Sequence, residues 1–182
     1  LRGFDPALNL GTHMTLTGTY YNSETHPDQK YFLTEQSEEM LTQIQPELAE
    51  VVRRAVAISD LEIQVLHGRR TLKQQDEFFK KGATEGITSP HLYGYAVDLV
   101  ALVEGRMCFE AEVYDEVANC MKYAGQDLNT PIRWGGAWHC PNLCNFNGLL
   151  DELQISYIDI CRERDVRPKL DVNHFELTIA TE

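Results

Sequence analysis

The sequence predicts an α+β domain, a small and mostly antiparallel sheet flanked by helices. Three observations carry this. Segments with three- and four-residue apolar steps are interspersed with a few segments of period two. The two kinds do not alternate in the regular βαβ order of a parallel sheet, and no repeat or low-complexity tract interrupts them. At 182 residues, 43% hydrophobic and 24% charged, the chain suffices for one domain with its own core.

Residues 1–33 are polar and without sustained period. They read as an extended N-terminal arm, in which the stretch before Met14 has the look of an expression tag. The domain proper is expected over 34–182. From Thr34, Met40, Leu41 and Ile44, then Leu48, Val51, Val52, Ala55 and Val56, mark two short helices, the second opened by Pro46. In Leu61–Gly68, Leu61, Ile63 and Val65 alternate with Glu62 and Gln64 as in a half-buried strand. A charged helix over Thr71–Lys81 ends at Gly82. GYAVDLVALV is the next strand and Glu104–Arg106 a turn. Glu110–Leu128 is a helix with Val113, Val117, Cys120, Met121 and Ala124 on one side. Arg133–Trp138 is a glycine-rich loop or short strand, Gly148–Asp165 an amphipathic helix, and HFELTIATE a closing strand in which Phe175, Leu177 and Ile179 oppose His174 and Glu176.

A net charge of −12 argues against nucleic acid, which needs clustered Lys and Arg, and against an electrostatic membrane anchor. No stretch reaches the ~20 apolar residues of a membrane span. The N-terminal residues lack the features of a signal peptide, so synthesis in the cytoplasm is expected. Five cysteines, an odd count, read as free thiols of a reducing compartment.

Asp98 stands in the middle of an apolar strand, where a carboxylate is costly without a positive partner. Alternation puts it on the face opposite Val97 and Leu99, while His174 and Glu176 share the polar face of the closing strand. His91 can fold back over Gly94 to join them. Two histidines and a carboxylate make a catalytic zinc set with one position left open, and zinc makes water acidic enough to attack at neutral pH. Asp171, in the turn before His174, is placed to act as general base, and Glu176 is a rival base or a partner that orients a ligand. Arg70 is the best-placed cation for a developing oxyanion. His139–Cys144 with Cys161 offers a second, structural metal reading that lacks a fourth ligand, and His67 receives no role.

GRRTLKQQ (68–75), SPHLYGYAVDL (89–99), IRWGGAW (132–138) and DVNHFEL (171–177) occur in this order. Together they resemble the zinc D-Ala-D-Ala carboxypeptidase and L-alanyl-D-glutamate endopeptidase family, with its hedgehog-like fold, and its phage endolysin branch most. The resemblance covers about residues 32–138 and 171–179. It implies one Zn2+ held by His91, Asp98 and His174, Asp171 as base, and Arg70 on the substrate carbonyl or carboxylate. It implies Ser89 as a substrate-binding residue, with Gln75, Trp134 and Trp138 near the cleft. The implied substrate is the stem peptide of peptidoglycan, cut between L-Ala and D-Glu by a monomer acting on the cell wall after release from the cytoplasm. Three departures from the family pattern stand out. Asn173 takes the place of a usual proline, Ala137 that of an aspartate, and residues 139–170 form an insertion expected to be a lid or wall of the cleft. Three other readings remain open: a D-Ala-D-Ala carboxypeptidase or dipeptidase, a non-haem iron oxygenase with two His and one carboxylate, and a non-catalytic zinc-binding module.

Overall fold

The computed structural model describes residues 13–14, 20–21, 28–82, 84 and 86–178; the readings of the stretch before His13 and of Ile179 lie outside them. Two two-residue strands, β1 (His13–Met14) and β2 (Tyr20–Tyr21), pair in the arm. Two helices follow. Thr34 caps α1 (Glu35–Leu41) by accepting the Ser37 N–H, and Pro46 opens α2 (Pro46–Ile58), where a missing N–H costs nothing. Buried Arg53 of α2 ties the two together, donating to Glu38 and Glu50 at 2.7 and 2.8 Å.

Strand β3 (Glu62–His67) leads to α3 (Leu72–Lys80), which Thr71 and Gln74 open with a reciprocal capping box. A 3-10 helix, Pro90–Tyr93, precedes the longest strand, β4 (Ala96–Val103). Its hairpin partner β5 (Arg106–Cys108) extends the predicted turn into a strand. Then come α4 (Ala111–Asp127), β6 (Ile132–Trp134), α5 (Leu150–Glu163) and β7 (His174–Leu177). The sheet runs β3-β4-β7-β6, with β5 on the β7 edge of β4, and every pairing is antiparallel.

Period two decides which residues face the core. Ile63, Val65, Val97, Leu99, Ala101, Ile132, Trp134 and Phe175 point to one side, where α2 and α4 cover them with Leu48, Val51, Val52, Ala55, Val117, Met121 and Ala124. The opposite side carries His67, Asp98, Arg133, His174 and Glu176 and faces the cleft.

Four local expectations are corrected. Gln64, read as solvent-facing, is buried; it accepts from Thr34 N and Ser37 Oγ and donates to the Phe32 carbonyl, which locks the end of the arm onto β3. Segment 139–170 packs onto the core rather than forming a lid, because Leu143, Leu150 and Leu153 join the apolar cluster; of this segment only Lys169 reaches the cleft among the described residues. Trp134, expected near the cleft, is 1% exposed within the core, its indole N–H bonded to the Val172 carbonyl. Gln75, expected there too, is fully buried behind Arg70 and holds the Gly86 carbonyl at 2.8 Å.

Candidate metal centre and cleft

Three strands bring the site together in one cross-strand row. Asp98 of β4 pairs with His174 of β7 on one side and with His67 of β3 on the other. Paired residues of antiparallel strands project to the same face, so the three side chains meet. His91 arrives from the 3-10 helix, whose N-cap Ser89 accepts the His91 N–H. Gly94 ends that helix at φ 73°, a left-handed turn that returns the chain toward β4; a Cβ there would also crowd the Gln43–Gln45 backbone, 3.0 Å from Ile44 Cα.

The result is a triangle of electron-pair donors. Asp98 Oδ1 lies 3.1 Å from His174 Nδ1 and 3.2 Å from His91 Nε2, and the two ring nitrogens are 3.2 Å apart. The far nitrogen of each ring is spoken for: His91 Nδ1 donates to the Gly68 carbonyl at 2.8 Å and His174 Nε2 to Glu176 Oε2 at 3.1 Å. Those bonds fix the tautomers and turn a bare lone pair from each ring toward Asp98. Three buried lone-pair donors at this spacing require a cation. Tetrahedral zinc with ligands at ~2.0–2.1 Å needs donor separations of about 3.3–3.4 Å, close to those present, so the residues fit the ion. Among the described residues this is the one group of three such side chains with converging ligand atoms. The Cys140 and Cys144 thiols point instead to the carbonyls of Asn142 and Thr130, and all five cysteines are free.

Charge explains the titration. Burial alone would raise the Asp98 carboxyl, yet the His174, His67 and His91 rings beside it hold it well below the usual carboxylate range. For His174, burial opposes the charged ring, but Asp98 and Glu176 outweigh it and raise the imidazole to about 9. Without a metal, a proton on His174 is thus the cation that the triangle holds.

Around this centre lies a cleft with a volume of about 390 Å3. His67, Arg70 and Phe78 form one wall, the irregular stretch of Gly86, Thr88, Ser89 and Pro90 another, and Trp138, Lys169, Asp171 and Asn173 a third. Asp171 is held by backbone on both sides: its N–H donates to the Gly135 carbonyl and its carbonyl accepts the His174 N–H, each at 3.0 Å. Gly135 permits this contact, since a Cβ there would collide with the Asp171 carbonyl, whereas a Cβ on Gly136 would collide with the Trp134 ring. Trp138 tilts against His174 with centroids 5.4 Å apart, and the Arg133 guanidinium lies over the Trp138 ring while donating to Glu176. Arg70 donates to Asp98 Oδ2 at 2.7 Å and lies over the Phe78 ring. Buried donors on two cleft residues, Arg70 Nε and Trp138 Nε1, have no partner among the described residues.

His67 is the residue that sequence reasoning missed. Its Nδ1 sits 3.2 Å from Asp98 Oδ2. Strict alternation from Ile63 and Val65 sends it to the core side, but a bulge between Val65 and His67 reverses it. Adjacent apolar Val65 and Leu66 break the alternation and are the one signal of that bulge.

A family model described as phage L-alanyl-D-glutamate peptidase matches residues 29–161. The chain belongs to this peptidase family. It is 28% identical over 107 residues to the L-alanyl-D-glutamate peptidase of Escherichia phage T5, a match covering 57% of this chain and 78% of that protein. Its fold is similar to the crystal structure of the Serratia marcescens L-Ala D-Glu endopeptidase ChiX, with a TM-score of 0.60 and 27% identity over 84% of this chain and 92% of that one. Family membership gives the triangle a chemical context, because peptide hydrolysis needs an electrophilic centre, a base and an anion-stabilising cation in one cleft.

Proposed function

We propose that this chain is a zinc-dependent peptidoglycan peptidase of the endolysin type, cutting the L-alanyl-D-glutamate bond of murein stem peptides. One observation carries the reading: a tautomer-fixed His91–Asp98–His174 triangle on the floor of the cleft of a chain in this peptidase family. When bound, zinc supplies a Lewis acid that polarises a carbonyl and acidifies water near neutral pH. His91, Asp98 and His174 would hold it, and Glu176 keeps His174 in the required tautomer.

The protein's own groups then divide the work. Asp171 takes the proton from the attacking water and returns it to the departing amine. The Arg70 guanidinium, with its unpartnered Nε–H, faces the negative charge that builds on the scissile carbonyl oxygen. Ser89 accepts a backbone N–H through its oxygen, which leaves its hydroxyl hydrogen for the substrate. Trp138 closes the site beside His174 and limits water.

Net charge fits a divalent ion as well. Among the cleft residues, the carboxylates of Asp98, Asp171 and Glu176 outnumber the fixed cations Arg70 and Lys169, so a metal reverses the local sign and admits an anionic wall polymer. No helix among the described residues is long and apolar enough to cross a membrane. The working form is a monomeric catalytic domain over residues 34–182, made in the cytoplasm and acting at the cell wall after release.

Purified murein digested with the protein, with and without a chelator, tests the reading by mass spectrometry of the fragments. The expected products carry new D-Glu N-termini and vanish with the chelator. Release of free D-Ala alone would make the chain a D,D-carboxypeptidase. Asp171→Ala should retain zinc and lose hydrolysis by at least about 100-fold.

A further inference from the structure

We propose that His67 is a positioning residue: it grips Oδ2 of Asp98, so that Arg70 can leave that oxygen for the substrate while Oδ1 stays aimed at the metal. This deepens the peptidase reading and rests on it.

The two oxygens of Asp98 have separate duties. Oδ1 faces His91 and His174, whereas Oδ2 faces Arg70 Nη2 at 2.7 Å and His67 Nδ1 at 3.2 Å. An ionised carboxylate only accepts, so His67 Nδ1–H donates. Arg70 alone would hold Oδ2 well, yet Arg70 is also the cation wanted by the substrate. Its fork is under-used where it rests: Nε is buried without a partner among the described residues, and Nη1 makes only a long 3.5 Å contact with Gln75. The face of Phe78, 4.6 Å beneath the guanidinium, gives it a surface on which to turn.

If Arg70 turned away and nothing else held Oδ2, the carboxylate would be free to rotate out of the metal triangle. His67 prevents this. The bulge at Leu66 is what sets His67, and not Leu66, opposite Asp98. Bulges beside active sites re-aim a side chain at the expense of ladder hydrogen bonds, and here the re-aimed group reaches the metal-facing carboxylate. Phe78 meets the His67 ring edge-on at 5.5 Å and fixes its angle.

Zinc affinity of the full chain, read by competition with a chromophoric chelator, tests this without reference to activity, and the metal-free Tm reports folding. Arg70→Met alone should cost little zinc affinity, because His67 still holds Oδ2. Adding His67→Phe, which keeps a ring against Phe78 but removes the donor, should then weaken zinc about 10-fold or more. Adding His67→Asn instead, which restores a donor near the Nδ1 position, should leave zinc affinity close to that of Arg70→Met. Unchanged zinc affinity on adding His67→Phe to Arg70→Met overturns the proposal, as does an equal loss with Phe and Asn, which would assign the effect to packing. Loss of zinc binding in Arg70→Met alone also overturns it. A wild-type chain that binds no zinc overturns the metal reading and this inference together.

Discussion

Burial pushes the Asp98 carboxyl and the His174 imidazole toward neutrality, and their mutual hydrogen bond pulls both back to charge. In the metal-free protein this makes His174 a proton store. Its folded value of about 9 lies above the ordinary 6.5. Its contribution to stability is therefore complete below about pH 6.5 and is lost as pH rises through about 9. Chelator-treated protein should show a Tm that declines across that window. Zinc must displace the same proton, so zinc affinity should climb over the same range. A flat Tm between pH 6.5 and 9 would show that His174 carries no such proton. Three residues of the site were legible from chemistry alone, because a lone aspartate in an apolar strand demands a positive partner. His67 was not legible, since nothing local marks the bulge beyond two adjacent apolar residues.

At the scale of elements, the site depends on how β6 and β7 grip the turn between α5 and β7. Gly135 donates its N–H to His174 O and accepts the Asp171 N–H, placing His174 and Asp171 within one backbone knot. Gly135→Ala would push the Asp171 backbone away, and a displacement of about 1 Å at a reacting group can cost about 100-fold in rate. Zinc content near one per chain with kcat reduced to that degree is the expected result; an undiminished kcat would remove Asp171 from the chemistry. Helices and long strands were legible because their periods are long and clean. Short or polar pieces were not. Only three residues make β5, and its Met107 is exposed, so no alternation marks it. Gln64 looks like a solvent residue until the arm that it bonds is in place. Trp134 reads as a cleft aromatic by resemblance, but period two around Arg133 consigns it to the core.

The whole molecule carries its acidity unevenly. Burial of Asp115, together with Asp151 and Glu112, raises its carboxyl to about 6, and one of its oxygens has no partner among the described residues. The sign is the reverse of an ion-paired aspartate. Stability from Asp115 is present below about pH 3.8 and is lost as pH rises through about 6, so the charged form destabilises the neutral-pH protein. Asp115→Asn should raise Tm at pH 7.5, with the gain fading by pH 4; a gain independent of pH would assign the effect elsewhere. Segment 139–170 belongs to this scale as well. Its sequence reads as an addition to the cleft, but Leu143, Leu150 and Leu153 tie it to the apolar core, so deleting it should unfold the chain rather than open the site.

The cross-strand row of His67, Asp98 and His174 has one more consequence. His91 and His174 lie 83 positions apart in the chain, and the triangle brings their ring nitrogens to 3.2 Å. An ion held there acts as a removable staple between the middle of the chain and its last strand. A ligand at 100 times its Kd adds about 2.7 kcal/mol to a folded state that alone can bind it. Resistance of this protein to proteolysis should therefore depend on the ion proposed for its chemistry, the loaded form outlasting the empty one.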